Sequence, residues 1–185
     1  MSKLIMFNMI TLDGFFEGEN NDISWHNAAN YEFNDFVVEY MKDIDTLIFG
    51  RKTYQLMASY WPLEETIAED PKVSEIMNGK QKYVFSKTLN QVSWENTNLI
   101  NHDAAEYMKQ LKQNSKGDLI LLGSANLATS LIKSNLIDEY RLMINPVAIG
   151  KGRALFQDLE QPLRLKLTDT RKFNSGNVQL TYQPL

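Results

Sequence analysis

No cysteine occurs in the 185 residues. Disulfides, thiol nucleophiles and thiolate metal sites are thereby excluded, and imidazole chemistry is confined to His26 and His102. No second histidine or acidic cluster stands at metal-ligand spacing from His102, which reads as a solvent-facing turn residue, and no metal is expected. Excess positive charge is lacking too. Nineteen Lys and Arg against 23 Asp and Glu leave a formal charge of −4, which argues against a broad nucleic-acid surface and restricts any anion site to a local patch. No run of about 18 apolar residues is present to span a bilayer. The opening stretch, MSKLIMFNMITLDG, has one Lys and an apolar run broken by Asn8. It reads as a strand rather than a signal peptide, and a cytoplasmic location is the default expectation.

What is present suits one domain over residues 1–185: 43% hydrophobic and 11% aromatic content supply a core that needs no covalent staples. The stretch Asp45 to Tyr54, DTLIFGRKTY, organises the reading. Thr46 to Phe49 is a buried-type strand, and Gly50 ends it where a helix can begin. Gly50 lets a ligand approach the backbone, Arg51 and Lys52 place two cations at the helix N-terminus, and Thr53 adds a hydroxyl, together a seat for phosphate. Two further turns have the same character. Lys82 to Phe85 runs into Ser86-Lys87, and Asp118 to Leu122 runs into Gly123-Ser124, with Ser124 as the N-cap of a helix buried through Leu127, Leu131 and Ile132.

Around these turns, Leu4 to Met9 forms a first strand ending in Thr11-Leu12-Asp13-Gly14, and the loop Phe15 to Trp25 reads as a lid. Ala28 to Ile44 is an amphipathic helix with Phe33, Phe36, Val37, Tyr40, Met41 and Ile44 on one side, while Glu32, Asp35, Glu39 and Asp43 form a solvated stripe. Lys52 to Tyr60 is a short helix, residues 62–80 hold a helical turn opened by Pro71, and Asp103 with Glu106 caps a helix to about Asn114. Tyr140 to Asn145 is a strand. GKGRALF, from Gly150, lacks the third glycine of a dinucleotide fingerprint and reads as a turn before a terminal hairpin. That hairpin pairs the alternating Leu163, Leu165 and Leu167 with Val178, Leu180 and Tyr182 across NSGN. Strands alternating with helices predict a mostly parallel sheet, and right-handed crossovers gather the loops after Met9, Phe49, Phe85 and Leu122 on one edge.

Taken in order, TLDGF, the amphipathic helix, IFGRKTY, YVFSK, LILLGS, NPVAIGKGRALF and the hairpin resemble the dihydrofolate reductase superfamily over nearly the whole chain. The nearer resemblance is to the branch related to the reductase domain of the bifunctional riboflavin-biosynthesis deaminase-reductase. It implies an α/β fold of three layers: a mostly parallel central sheet of about eight strands with an antiparallel C-terminal hairpin. It also implies NADPH, with Gly50, Arg51, Lys52 and Thr53 at the pyrophosphate and 2′-phosphate, and Ser86 and Lys87 beside the adenosine phosphate. Gly123, Ser124, Ala125, Asn126 and Leu127 then lie under the pyrophosphate and nicotinamide ribose. The planar fork of Arg51, with Lys52 and Lys87, suits the extra phosphate of NADPH over NADH.

The chain departs from the family pattern twice. Where dihydrofolate reductases carry a helix carboxylate after a tryptophan, Asn30 follows Trp25, so dihydrofolate is not the expected substrate. Where paired or tripled glycines are usual, the turn reads Gly123-Ser124-Ala125. Asp13 is the acid expected to face the nicotinamide, with capping of its own turn as the alternative role. The expectation is an NADPH-dependent reductase of a small heterocyclic or carbonyl substrate, with Phe16, Trp25 and Asn30 at the substrate and Asp13 or a water as proton source. The riboflavin-pathway pyrimidine reductase itself and a non-catalytic nucleotide-binding module are the alternatives. A homodimer is implied by the resemblance.

Overall fold

The computed structural model describes residues 2–26 and 31–185. In chain order, β1 (Leu4–Thr11) and the short β2 (Phe15–Glu17) precede α1 (Tyr31–Tyr40), β3 (Ile44–Gly50) and α2 (Arg51–Ala58). Next come α3 (Glu64–Glu69), α4 (Pro71–Gly79), β4 (Gln81–Phe85), β5 (Thr97–Ile100) and α5 (Ala104–Asn114). The chain closes with β6 (Asp118–Leu122), α6 (Ala125–Lys133), β7 (Glu139–Asn145), β8 (Arg153–Ala154), β9 (Leu165–Lys172) and β10 (Val178–Pro184).

Eight strands form one sheet in the order β5-β4-β3-β6-β1-β7-β10-β9, and β2 pairs separately with β8. The six strands from β5 to β7 run parallel, and β10 and β9 complete the sheet antiparallel. Alternation along the central strands explains why both faces are covered. Leu119 and Leu121 of β6 and Ile48 of β3 enter a core with Leu127, Ala128 and Leu131 of α6 and Met108 of α5. Ile120, Leu122, Leu47 and Phe49 point the other way, against Tyr54 of α2 and Val73 and Met77 of α4. Phe36 of α1 closes that second face over Met143 and Phe173. The result is the three-layer α/β arrangement with a mostly parallel sheet and a C-terminal hairpin.

Several expectations are corrected. The helix expected to reach Ile44 stops at Tyr40, a single 3₁₀ turn covers Met41–Asp43, and Ile44 opens β3. Its expected first residues, 28–30, lie outside the described residues. α3 was not foreseen in the acidic stretch; Glu64 and Glu65 occupy its first turn, where carboxylates favour the helix dipole. GKGRALF is more than a turn, since Arg153 and Ala154 pair with Phe15–Glu17 and convert part of the lid loop into a strand. Ser124 stands at the N-cap of α6 but its side chain makes no cap hydrogen bond; the hydroxyl is engaged across the sheet edge instead.

Candidate active site

The parallel register sets three turns side by side. Gly50 pairs with Phe85, so Arg51 and Ser86 leave the sheet as neighbours. β6 pairs with β1 only as far as Leu122 opposite Phe7, and Gly123 N–H donates to the Phe7 carbonyl at 3.2 Å. The chain then bends at once, with positive φ at both Gly123 (60°) and Ser124 (63°).

That bend meets the turn after β3. Gly50 N–H donates to Ser124 Oγ at 2.7 Å, and Ser124 Oγ–H donates to Thr53 Oγ1 at 2.9 Å. The approach is close enough to require both glycines: a Cβ on Gly50 would lie 2.9 Å from Ser124 Oγ, and one on Gly123 would lie 3.1 Å from Thr53 and 3.5 Å from Phe16. Gly50, Thr53, Gly123, Ser124 and Phe16 are therefore brought together. Ser86 folds its hydroxyl inward to accept from the amides of Thr88 and Leu89, and Lys87 is left exposed beside it.

Charge at this rim is positive. Arg51 and Lys52 are exposed in the first turn of α2; Arg51 donates to Gln55 at 3.3 Å, and Lys52 Nζ donates to Asn21 Oδ1 at 2.8 Å. Neither α2 nor α6 has a side-chain cap at its N-terminus. Two uncapped helix starts, three exposed cations and a hydroxyl fit the phosphates of a dinucleotide, because amide donors and the helix dipoles favour negative charge there. Ala125 and Leu127 are buried, so these two can serve a ligand only through the backbone, while Asn126 is exposed.

Asp13 is exposed, and its carboxylate bridges the end of β1 and the 149–150 loop. Its carboxylate accepts from Thr11 Oγ1 at 2.6 Å and from the amides of Ile149 and Gly150 at 3.2 and 2.8 Å. The Thr11 hydroxyl first, then these amides, hold the carboxyl below the usual range, so Asp13 is ionised at neutral pH and pins the 149–150 loop to the end of β1. In the lid, Trp25 Nε1 donates to the Asp22 carbonyl, and the Trp25 ring meets His26 edge-on at 4.4 Å. Burial pushes the His26 imidazole down to about 4, with Asp22 opposing. Asn30 lies outside the described residues.

Arg153 escaped the sequence reading. Its guanidinium donates to Asn126 Oδ1 at the start of α6 and lies 3.4 Å from Glu17 Oε1, joining β8, β2 and α6 at the same rim. Its signal was the Arg inside GKGRALF, hidden by comparison with the wrong fingerprint. A cavity of about 300 Å³, lined by residues including Asn135, Asp138 and Tyr140, opens at the other end of the parallel strands, where Asp138 N–H bonds the Leu4 carbonyl. It shares no residue with this rim.

Residues 2–179 match the family described as the RibD C-terminal domain. The chain belongs to that family. Uncharacterized protein YyaP of Bacillus subtilis is 38% identical over 181 residues, covering 97% of this chain and 94% of its own length. Among solved structures, a Shewanella sp. PV-4 protein named for riboflavin biosynthesis superposes with a TM-score of 0.77 at 21% identity, covering 99% of both chains. A Thermotoga maritima diaminohydroxyphosphoribosylaminopyrimidine deaminase/5-amino-6-(5-phosphoribosylamino)uracil reductase superposes at 0.69 and 13% identity, over all of this chain and 57% of the other. At these identities the superpositions establish the shared fold. In this RibD-type chain the rim of Gly50, Thr53, Gly123 and Ser124 brings two uncapped helix starts and a hydroxyl to one place. Among the described residues no helix is long and apolar enough to cross a membrane.

Proposed function

We propose that this protein is an NADPH-dependent reductase of a small heterocyclic or carbonyl-bearing substrate. The observation that carries the reading is the direct contact between two uncapped turns through Gly50, Ser124 and Thr53, with Arg51, Lys52 and Lys87 around it. The first-turn amides of α2 and α6 and the Thr53 hydroxyl hold phosphate oxygens, and Arg51 with the two lysines selects the extra phosphate of NADPH. Bound there, NADPH supplies the hydride. Phe16 and Trp25 cover the substrate and exclude water from it. Asp13, ionised and committed to Ile149 and Gly150, positions the loop, and water delivers the proton.

Membership of the RibD C-terminal domain family supports a riboflavin-reductase-like activity, and the aminouracil reductase reaction named for the Thermotoga relative sets the first substrate class to try. The homodimer implied by the family resemblance belongs to this proposal and is read by light scattering. Titration with NADPH, followed by quenching of the three tryptophans, tests the binding. Loss of NADPH absorbance across a panel of pyrimidines, pterins and quinones tests turnover. Saturable binding is expected; its absence at millimolar cofactor overturns the reading, and binding without oxidation across the panel assigns a nucleotide-binding module instead.

A further inference from the structure

Ser124 carries a side chain where the backbone favours none. Its φ of 63° and ψ of 62° lie in the left-handed region, in which a Cβ crowds the following carbonyl and glycine is the ordinary occupant. What offsets that strain is the hydroxyl. It accepts the Gly50 amide proton at 2.7 Å and gives its own proton to Thr53 Oγ1 at 2.9 Å.

A hydroxyl has one proton to give. Because Ser124 spends its proton on Thr53, the Thr53 oxygen is the acceptor of that pair, and the Thr53 proton must point elsewhere. Among the described residues it meets no acceptor. Thr53 is the third residue of α2 and half-buried, beside first-turn amides that no side chain caps. We infer that Ser124 is a positioning residue: it never touches the ligand, and it holds Thr53 as an obligatory donor to a phosphate oxygen seated on the α2 N-terminus. The chain Gly50 N–H, Ser124 O–H, Thr53 O–H runs one way, and each bond polarises the next. This inference rests on the dinucleotide reading above and adds the element that aims one of its donors.

The experiment is a double-mutant cycle on NADPH affinity, read by tryptophan quenching and by ligand-induced thermal shift. Thr53→Val is expected to weaken NADPH about tenfold, the loss of one hydrogen bond to a charged acceptor, and Ser124→Ala to weaken it by up to about as much, because the Thr53 hydroxyl is then free to turn its proton away from the phosphate. The Ser124→Ala/Thr53→Val double variant is expected to bind no worse than Thr53→Val alone, because Ser124 acts only through the Thr53 hydroxyl. Thr53→Ser keeps the proton and is expected to stay within about twofold of wild type. Ser124→Gly relieves the strain as it removes the hydroxyl's bonds, so it is expected to fold about as well as wild type and to bind as weakly as Ser124→Ala. Parallel losses for NADPH and NADH place the phosphate in the pyrophosphate, and a loss confined to NADPH places it at the 2′ position. Additive losses, or wild-type affinity in Ser124→Gly, overturn the relay while leaving the cofactor site intact. Failure of the wild-type protein to bind NADPH overturns both.

Discussion

Lys52 Nζ donates to Asn21 Oδ1 at 2.8 Å, tying the first turn of α2 to the tip of the lid loop. Asn20 and Asn21 are both left-handed there, with φ of 58° and 61°. A phosphate on α2 must therefore compete with a lid residue for the Lys52 ammonium. Asn21→Gly, which removes the side-chain acceptor and suits the left-handed backbone, is expected to tighten NADPH roughly twofold while leaving thermal stability within about 0.5 kcal/mol. Lys52→Met is expected to weaken NADPH about tenfold. Calorimetric titration of the two variants checks the pair.

Arg51 separates the two nicotinamide cofactors. Its guanidinium is exposed and makes one 3.3 Å bond to Gln55, so little holds it back from a phosphate. Arg51→Ala is expected to weaken NADPH by roughly 10- to 100-fold, the value of a charge-assisted pair, and NADH by less than about threefold. Measuring both affinities at two salt concentrations checks this, since the NADPH loss shrinks as salt rises.

His26 sets a pH dependence of stability. Its folded-state value is lowered from 6.5 to about 4 by burial, so between those limits the unfolded chain binds the proton more readily. Stability is then complete above about 6.5, falls as pH drops toward 4, and is flat in this group below that. The loss is about 3 kcal/mol at most. Urea unfolding from pH 7 to 4 is expected to show this slope in wild type and to lose it in His26→Asn.

Asn8 is the polar residue on the apolar face of β1 that carries Leu4, Met6 and Ile10. It is 1% exposed, and among the described residues neither amide atom finds a partner. Asn8→Leu replaces two unpaired buried groups by a side chain of similar size, so it is expected to stabilise the protein by about 1 kcal/mol or more. A fall in the denaturation midpoint would mean that the amide is satisfied by bound water.

Much of this architecture is written in local patterns. Leu119 to Leu122 and Leu47 to Phe49 are apolar throughout, which marks strands covered on both faces, and Asp103 accepts from the Glu106 amide as its spacing implies. The meeting of Gly50 with the Gly123-Ser124 turn followed from topology, because parallel neighbours with right-handed crossovers end on one side. What stayed hidden depends on long-range partners. Nothing local in Ser124 shows its hydroxyl reaching a residue 74 positions away. The pairing of Phe15–Glu17 with Arg153–Ala154 has the same cause: strands of three and two residues carry too few side chains for alternation to be visible. α3 was obscured because its six residues are mostly acidic or small and bury only Thr66.

β6 occupies the slot between β1 and β3, although it follows both by many tens of residues. During synthesis, the facing edges of β1 and β3 must wait, unpaired and apolar, until Asp118 to Leu122 clears the ribosome. A nascent chain stalled before that point exposes two adhesive strand edges at once, which makes the span up to residue 118 the stretch where a chaperone has most to protect.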